Sequence, residues 1–265
     1  MNNSSRIKSI LHASYLDASV TGIQTFNLSN LNLVTDFNFH LPTNLRLGHL
    51  VENIVSALIK SSTNYKVLYE NIQLIEHEKT IGEIDFIVSN EHTKELSHIE
   101  LAYKFYLYDP TISSKEINNW MGPNRNDSLK DKLEKIKNKQ FPLLYHSAAK
   151  LKFNEIEIKA ISQKLCFLVS LFIPYEYDKS FSNIDSKAIK GYYLNIEKWL
   201  DFDHSEKQYY LPQKKEWGID PAENNTWVEF NDVKNHVVNS MDEKRALLCW
   251  QKNKDSYLAF FIVWW

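Results

Sequence analysis

A chain of 265 residues, 43% of them hydrophobic, is long enough for one large domain or two small ones and apolar enough to bury its own core. Its formal net charge of -2 excludes a broadly basic protein, so any contact with nucleic acid has to come from a local patch. The two cysteines, Cys166 and Cys249, sit far apart in "KLCFLVS" and "ALLCWQK" and read as small buried hydrophobes, which argues against a structural zinc site.

The N-terminus "MNNSSRIKSILHASYLDASV" lacks the continuous apolar region and small-residue cleavage site of a secretory signal, and no uncharged run is long enough to span a bilayer. A cytoplasmic protein with no membrane partner is expected. No internal repeat shows, and six glycines and seven prolines argue against long flexible linkers, so a single domain over residues 1–265 is expected.

In "TNLRLGHLVENIVSALIKSS" the apolar residues Leu47, Leu50, Val51, Ile54, Val55, Leu58 and Ile59 recur with helical spacing, and Thr43 or Asn44 can cap the start. "YKVLYENIQL" reads as a strand, "IGEIDFIVS" as a second, and the turn around "HTKE" leads into a third at residues 98–107. The period of two places His98, Glu100, Ala102, Lys104 and Tyr106 on one face of that third strand, with Ile99, Leu101, Tyr103, Phe105 and Leu107 on the other. The second face is wholly apolar or aromatic and belongs against a core. Helix followed by a three-stranded meander opens a mixed α/β domain.

"NDSLKDKLEKIKNKQFPLL" reads as a second helix with Leu129, Leu133 and Ile136 as its apolar stripe, stopped by Pro142. Its lysines, Lys130, Lys132, Lys135, Lys137 and Lys139, lie near Arg125 and outnumber the interleaved Asp127, Asp131 and Glu134. That leaves a net positive surface suited to phosphates if it faces a groove. In "WMGPN", which looks like the turn feeding this helix, Trp120 reads as a packing anchor ahead of a base-stacking group. "KLCFLVSLFIPY" and "IKGYYLNIEKW" look like two more strands, the first apolar enough to be central. "YLAFFIVWW" reads as a terminal strand, and the rest of the chain after about residue 201 yields no assignment.

Asp85 and Glu100 call for explanation because each carries a charge between apolar neighbours in an interior strand, where a carboxylate needs a partner or a metal. The order is a helical Glu52, a strand with Asp85 after a glycine, a strand with Glu100, and a lysine-bearing helix. In order and spacing it resembles the PD-(D/E)XK (restriction-endonuclease-like) nuclease superfamily. A closer resemblance is to the bacterial domain-of-unknown-function 1853 family. It is carried by "LGHLVE", "GEIDFIV", "IELAYKFYL", "WMGPNRNDSLKDKLEKIKNKQFPL", "KGYY" and "LPQKKEW".

The resemblance implies an α/β fold with a mixed central sheet flanked by helices. A nuclease-like core would span about residues 44–200, with an N-terminal extension over 1–43 and a C-terminal elaboration over 201–265. It implies a Mg²⁺- or Mn²⁺-dependent nuclease or nuclease-like DNA-processing protein that hydrolyses phosphodiester bonds, with nucleic acid, DNA ahead of RNA, as its partner. Asp85 and Glu100 would be metal ligands, Glu52 an auxiliary ligand or base, and Arg125, Lys130, Lys132, Lys135, Lys139 and Gln140 would contact nucleic acid. The superfamily pattern would put its lysine at position 102, which is alanine here. Lys104 shares the face of Glu100 but lies about 13 Å farther along the strand at roughly 3.3 Å per residue. Either a bulge brings Lys104 back or Lys132 comes in from the following helix, with Gln140 two turns beyond it; the narrow preference is Lys104 as the catalytic group and Lys132 as the phosphate contact. Glu83 reads as an outer partner or surface group, and His49 and His98 as structural or exposed. The alternative function is a catalytically inactive nucleic-acid-binding or protein-interaction module whose acids survive in a salt-bridge network.

Overall fold

The computed structural model describes residues 3–34, 41–42 and 44–265. The helices are α1 (Asn3–Leu11), α2 (Ala18–Thr21), α3 (Leu47–Lys60), α4 (Leu129–Lys135), α5 (Ser147–Lys152), α6 (Ile196–Leu200) and α7 (Phe230–Asp242). The strands are β1 (Ser14–Tyr15), β2 (Tyr65–Glu76), β3 (Lys79–Asn90), β4 (Leu96–Tyr108), β5 (Trp120–Met121), β6 (Ser162–Pro174), β7 (Ile189–Asn195), β8 (Gln208–Tyr210), β9 (Leu247–Asn253) and β10 (Ser256–Val263). A mixed sheet runs in the order β2-β3-β4-β6-β7-β10-β9-β8, with β1 on β6 and β5 on β4.

The chain forms two compact units. One consists of Met1–Ser14, Lys104–Lys130 and Val169–Trp265, the other of Tyr15–Tyr103 and Asp131–Leu168.

In the second of these, α3 buries the whole apolar stripe read from its spacing, Leu47 through Ile59, which leaves Glu52 on its half-buried flank. Its N-cap is Arg46, whose side chain makes no capping bond, so Asn44 does not cap it; Thr43 lies outside the described residues. β2 and β3 form a hairpin closed at Glu76↔Lys79, with His77 and Glu78 both at positive φ (47° and 62°) as a two-residue turn of that hand requires. β3 continues antiparallel into β4 from Ser89↔Leu96 to Phe86↔Ile99. Leu74, Ile84, Ile87, Leu144, Ala149, Phe153 and Ile161 close a core of this unit.

Pro142 does not stop the helix that begins at Leu129. α4 opens into a π turn over Ile136–Gln140, where the Phe141 N–H donates to Ile136 O, and then tightens into a 3₁₀ turn over Phe141–Tyr145 that holds Pro142 near its start, where a missing N–H costs nothing.

In the other unit, β7 runs parallel to both β6 and β10, and β9 and β8 follow antiparallel. "IKGYYLNIEKW" is strand only to Asn195, whose side chain then accepts the Lys198 N–H at 2.9 Å and caps α6. The terminal apolar run is the strand β10, buried from Ala259 to Val263, and the unassigned tail also holds α7, β8 and β9. Leu194, Trp199, Tyr209, Val237, Cys249 and Phe260 sit in its core. Both cysteines are buried and free. Among the described residues no helix is long and apolar enough to cross a membrane.

Candidate functional site

β3 and β4 carry the acids to one place. Continuing the register one step past Phe86↔Ile99 sets Asp85 opposite Glu100 on the same face as His98. The ladder is interrupted there, because Asp85 Oδ2 accepts the Leu101 N–H at 2.8 Å.

Glu100 is 1% exposed and His98 is 0% exposed. His98 Nε2 lies 2.9 Å from Glu100 Oε1, two residues along the same strand face. From the other side Gln140 Nε2 donates to Glu100 Oε2, and Lys132 Nζ donates to Gln140 Oε1 at 3.0 Å. The π turn makes that bridge reachable. Eight residues of regular α-helix would leave Gln140 about 80° round from Lys132, and the wider turn absorbs the excess.

Burial pushes Glu100 up to about 8, with Lys132 and Lys135 opposing the rise, the Glu83 charge adding to it and the Gln140 bond opposing it again. Asp85, half-buried, is pushed up to about 8 by loss of water first and by the Glu100 charge second; the Leu101 N–H opposes, Glu52 adds, and Lys132 opposes. Burial lowers His98 to about 4 against the opposing charge of Asp85, so at neutral pH its bond to Glu100 is a hydrogen bond from a neutral ring. Two acids thus share one poorly hydrated place with Lys132 as the cation acting on both.

The structure places the remaining expected residues as follows. Glu52 stands near enough to raise Asp85 and bonds His49 Nδ1 at 2.9 Å. Lys104 pairs with Asp127 at 2.7 Å instead of with an acid of the cluster. Arg125 pairs with Asp109, and its guanidinium lies 4.0 Å over the Trp265 ring. Lys130, Lys135, Lys137 and Lys139 are exposed. Trp120 is fully buried and packs on Tyr108 at 4.9 Å, which settles it as a packing residue. Its neighbours in "WMGPNR" brace the C-terminal strands: Asn124 Oδ1 accepts the Ala246 N–H at 2.9 Å, and Trp265 Nε1 donates to Pro123 O at 3.2 Å. Gln163 was not singled out by sequence, yet its Nε2 donates to Phe141 O at 2.8 Å and lies 3.4 Å from His98 Nδ1.

Among the described residues no group of three or more His, Cys, Asp and Glu side chains converges as a metal cage. Mg²⁺ does not require one, since it typically takes one or two carboxylates and fills its other positions with water and phosphate oxygens. The hard oxygen donors of Asp85 and Glu100 suit it in type and number.

The fold and cluster define a mixed α/β protein with a paired-acid site bridged to a lysine. The chain belongs to the family described as Domain of unknown function (DUF1853), whose model matches residues 22–256, a span that takes in all the motifs that carried the resemblance. No curated protein and no solved structure matches it.

Proposed function

We propose that the protein is a divalent-metal-dependent nuclease of PD-(D/E)XK type, with a Mg²⁺ or Mn²⁺ site at Asp85 and Glu100 and nucleic acid, DNA ahead of RNA, as substrate. The observation that carries this reading is that Asp85, half-buried, and Glu100, buried, stand opposite each other when the β3–β4 register is continued one step, where loss of water pushes both carboxyls above their ordinary range. Carboxylates so placed bind a proton or a cation in preference to standing charged alone.

When bound, the ion supplies a lowered pKa for water and offsets the negative charge that grows on a phosphodiester under attack. The protein's own groups do the rest. Asp85 and Glu100 would hold the ion, Glu100 through Oε2 once Gln140 has turned away from it. Lys132, already reaching into the cluster, faces the phosphate. Glu52, half-buried beside Asp85, orients the attacking water and takes its proton. Lys130, Lys135 and Lys139 extend the positive surface along the same helix, whereas Arg125 is held by Asp109 and Trp265 and contributes less.

One observation favours the second reading, an inactive module of the same fold. Both oxygens of Glu100 are already taken, by His98 and Gln140, as in an internally satisfied network. The test is cleavage of single- and double-stranded DNA and RNA with Mg²⁺ or Mn²⁺, comparing wild type with Asp85→Asn. Metal-dependent cleavage lost in Asp85→Asn supports the nuclease. Binding of nucleic acid with no cleavage, and no metal response, supports the module.

A further inference from the structure

The hydrogen bonds around Glu100 have a readable direction. A backbone carbonyl only accepts, so Phe141 O fixes the amide of Gln163 with its NH₂ group inward, and that NH₂ also faces His98 Nδ1. His98 Nδ1 is then the acceptor, so in the neutral ring the proton sits on Nε2 and is donated to Glu100 Oε1. On the other side Lys132 can only donate, which fixes Gln140 with its oxygen toward Lys132 and its NH₂ toward Glu100 Oε2. Both chains end as donors on Glu100, an arrangement that its carboxylate form, the form a cation would bind, accepts in full. The two oxygens differ in what holds them: a fully buried ring for Oε1, and a half-buried side chain of a π turn for Oε2.

We propose that His98, held by Gln163, is a positioning residue that locks Glu100 Oε1 and presents Oε2 alone to a divalent cation, with Gln140 as the group that is displaced. The inference rests on the Asp85–Glu100 metal site proposed above. It assigns the sixty-five-residue link between His98 and Gln163 a job in metal affinity that a packing histidine would not have.

The experiment titrates Mn²⁺ into the full-length wild type, His98→Ala, His98→Gln and Asp85→Asn, and reads the dissociation constant directly by electron paramagnetic resonance. His98→Ala should weaken Mn²⁺ by about 10–100-fold, the usual cost of losing a hydrogen bond behind a ligand. His98→Gln, whose amide N–H reaches the place of Nε2, should restore it to within about threefold. If Asp85→Asn loses Mn²⁺ while His98→Ala binds it like wild type, the positioning role falls and the metal site stands. If wild type fails to bind at millimolar Mn²⁺, both fall. Should His98→Ala not fold, ¹⁵N spectra of histidine-labelled wild type with Mg²⁺ decide, with the His98 signal assigned by its absence in His98→Gln. An Nε2–H tautomer in the Mg²⁺ state is expected, and an Nδ1–H tautomer overturns the proposal.

Discussion

Asp85 Oδ2 accepts the Leu101 backbone N–H at 2.8 Å, where the β3–β4 ladder has just ended at Phe86↔Ile99. The acid therefore satisfies a donor of a buried residue as well as facing Glu100. Two substitutions separate these roles. Asp85→Ala strands the Leu101 N–H and should cost about 1–3 kcal/mol. Asp85→Asn keeps a carbonyl acceptor and removes the charge that Glu100 opposes, so at pH 8 it should be neutral or stabilising. Urea denaturation of both variants, with chelator present, checks the order.

The metal-free protein should lose stability as pH rises. Asp85 and Glu100 have folded-state values near 8 against about 4 when unfolded, so between these the folded chain holds protons that the unfolded chain has released. Their contribution is full below about 4 and is lost through about 8. His98 runs the other way. Lowered to about 4 from 6.5, it stabilises above 6.5 and loses that contribution as pH falls toward 4, which offsets part of the acids' slope there. The steepest fall in urea midpoint should lie between pH 6.5 and 8, approaching about 1.4 kcal/mol per pH unit for each proton. Asp85→Asn should flatten it. A midpoint that holds level or rises over that window would contradict the assignment.

Gly191→Ala should be far more damaging than Gly122→Ala, although both glycines lie in the motifs of the resemblance. A Cβ at Gly191 would sit 1.9 Å from Ala259 O, the backbone of the parallel partner strand β10, which cannot move without breaking the ladder. A Cβ at Gly122 would meet Asp127 Oδ1 at 2.0 Å, the end of a side chain able to turn away at the cost of its Lys104 pair. Gly191→Ala should lose about 1–3 kcal/mol or fail to fold, and Gly122→Ala about 1 kcal/mol or less. Soluble yield and thermal midpoints of the pair test this.

The acid pair could be read from the sequence because its cause is local. Asp85 and Glu100 each stand between apolar neighbours in strands whose alternation is plain, and α3 shows its face by spacing alone. Lys132 and Gln140 could be placed on a similar face, but the π turn that aligns them depends on packing and leaves no composition signal. His98 was visible as sharing the face of Glu100, while its burial and its link to Gln163 arise from strands sixty-five residues apart, beyond any local pattern. Pro142 read as a stop because proline lacks an N–H, yet at the start of a fresh turn that lack is harmless. The tail resisted because α7 begins with a capping box of Glu229 and Asp232 in place of the usual Ser or Thr, and β8 is only three residues long.

The last expectation separates the two lysines. Lys104 pairs with Asp127 where both are more than a third exposed, an arrangement worth little, so Lys104→Ala should change stability by about 0–1 kcal/mol and leave metal affinity unaltered. Lys132 holds the Gln140 oxygen and opposes the rise in pKa of both acids. Its removal takes away a cation that competes with Mg²⁺ for the same carboxylates, so Mn²⁺ should bind Lys132→Ala as tightly as wild type or tighter. Turnover should move in the opposite direction. If Lys132 faces the phosphate in the transition state, its loss should lower the single-turnover cleavage rate at saturating protein by about 10²–10³-fold, the usual cost of one preorganised charge donor. That combination, metal affinity held and chemistry lost, differs from Asp85→Asn, which should lose both. It also differs from a lysine that only touches the backbone, whose removal weakens binding and lowers the salt dependence by about one counterion while chemistry at saturation survives. A cleavage defect in Lys104→Ala with Lys132→Ala near wild type would return the catalytic role to the strand.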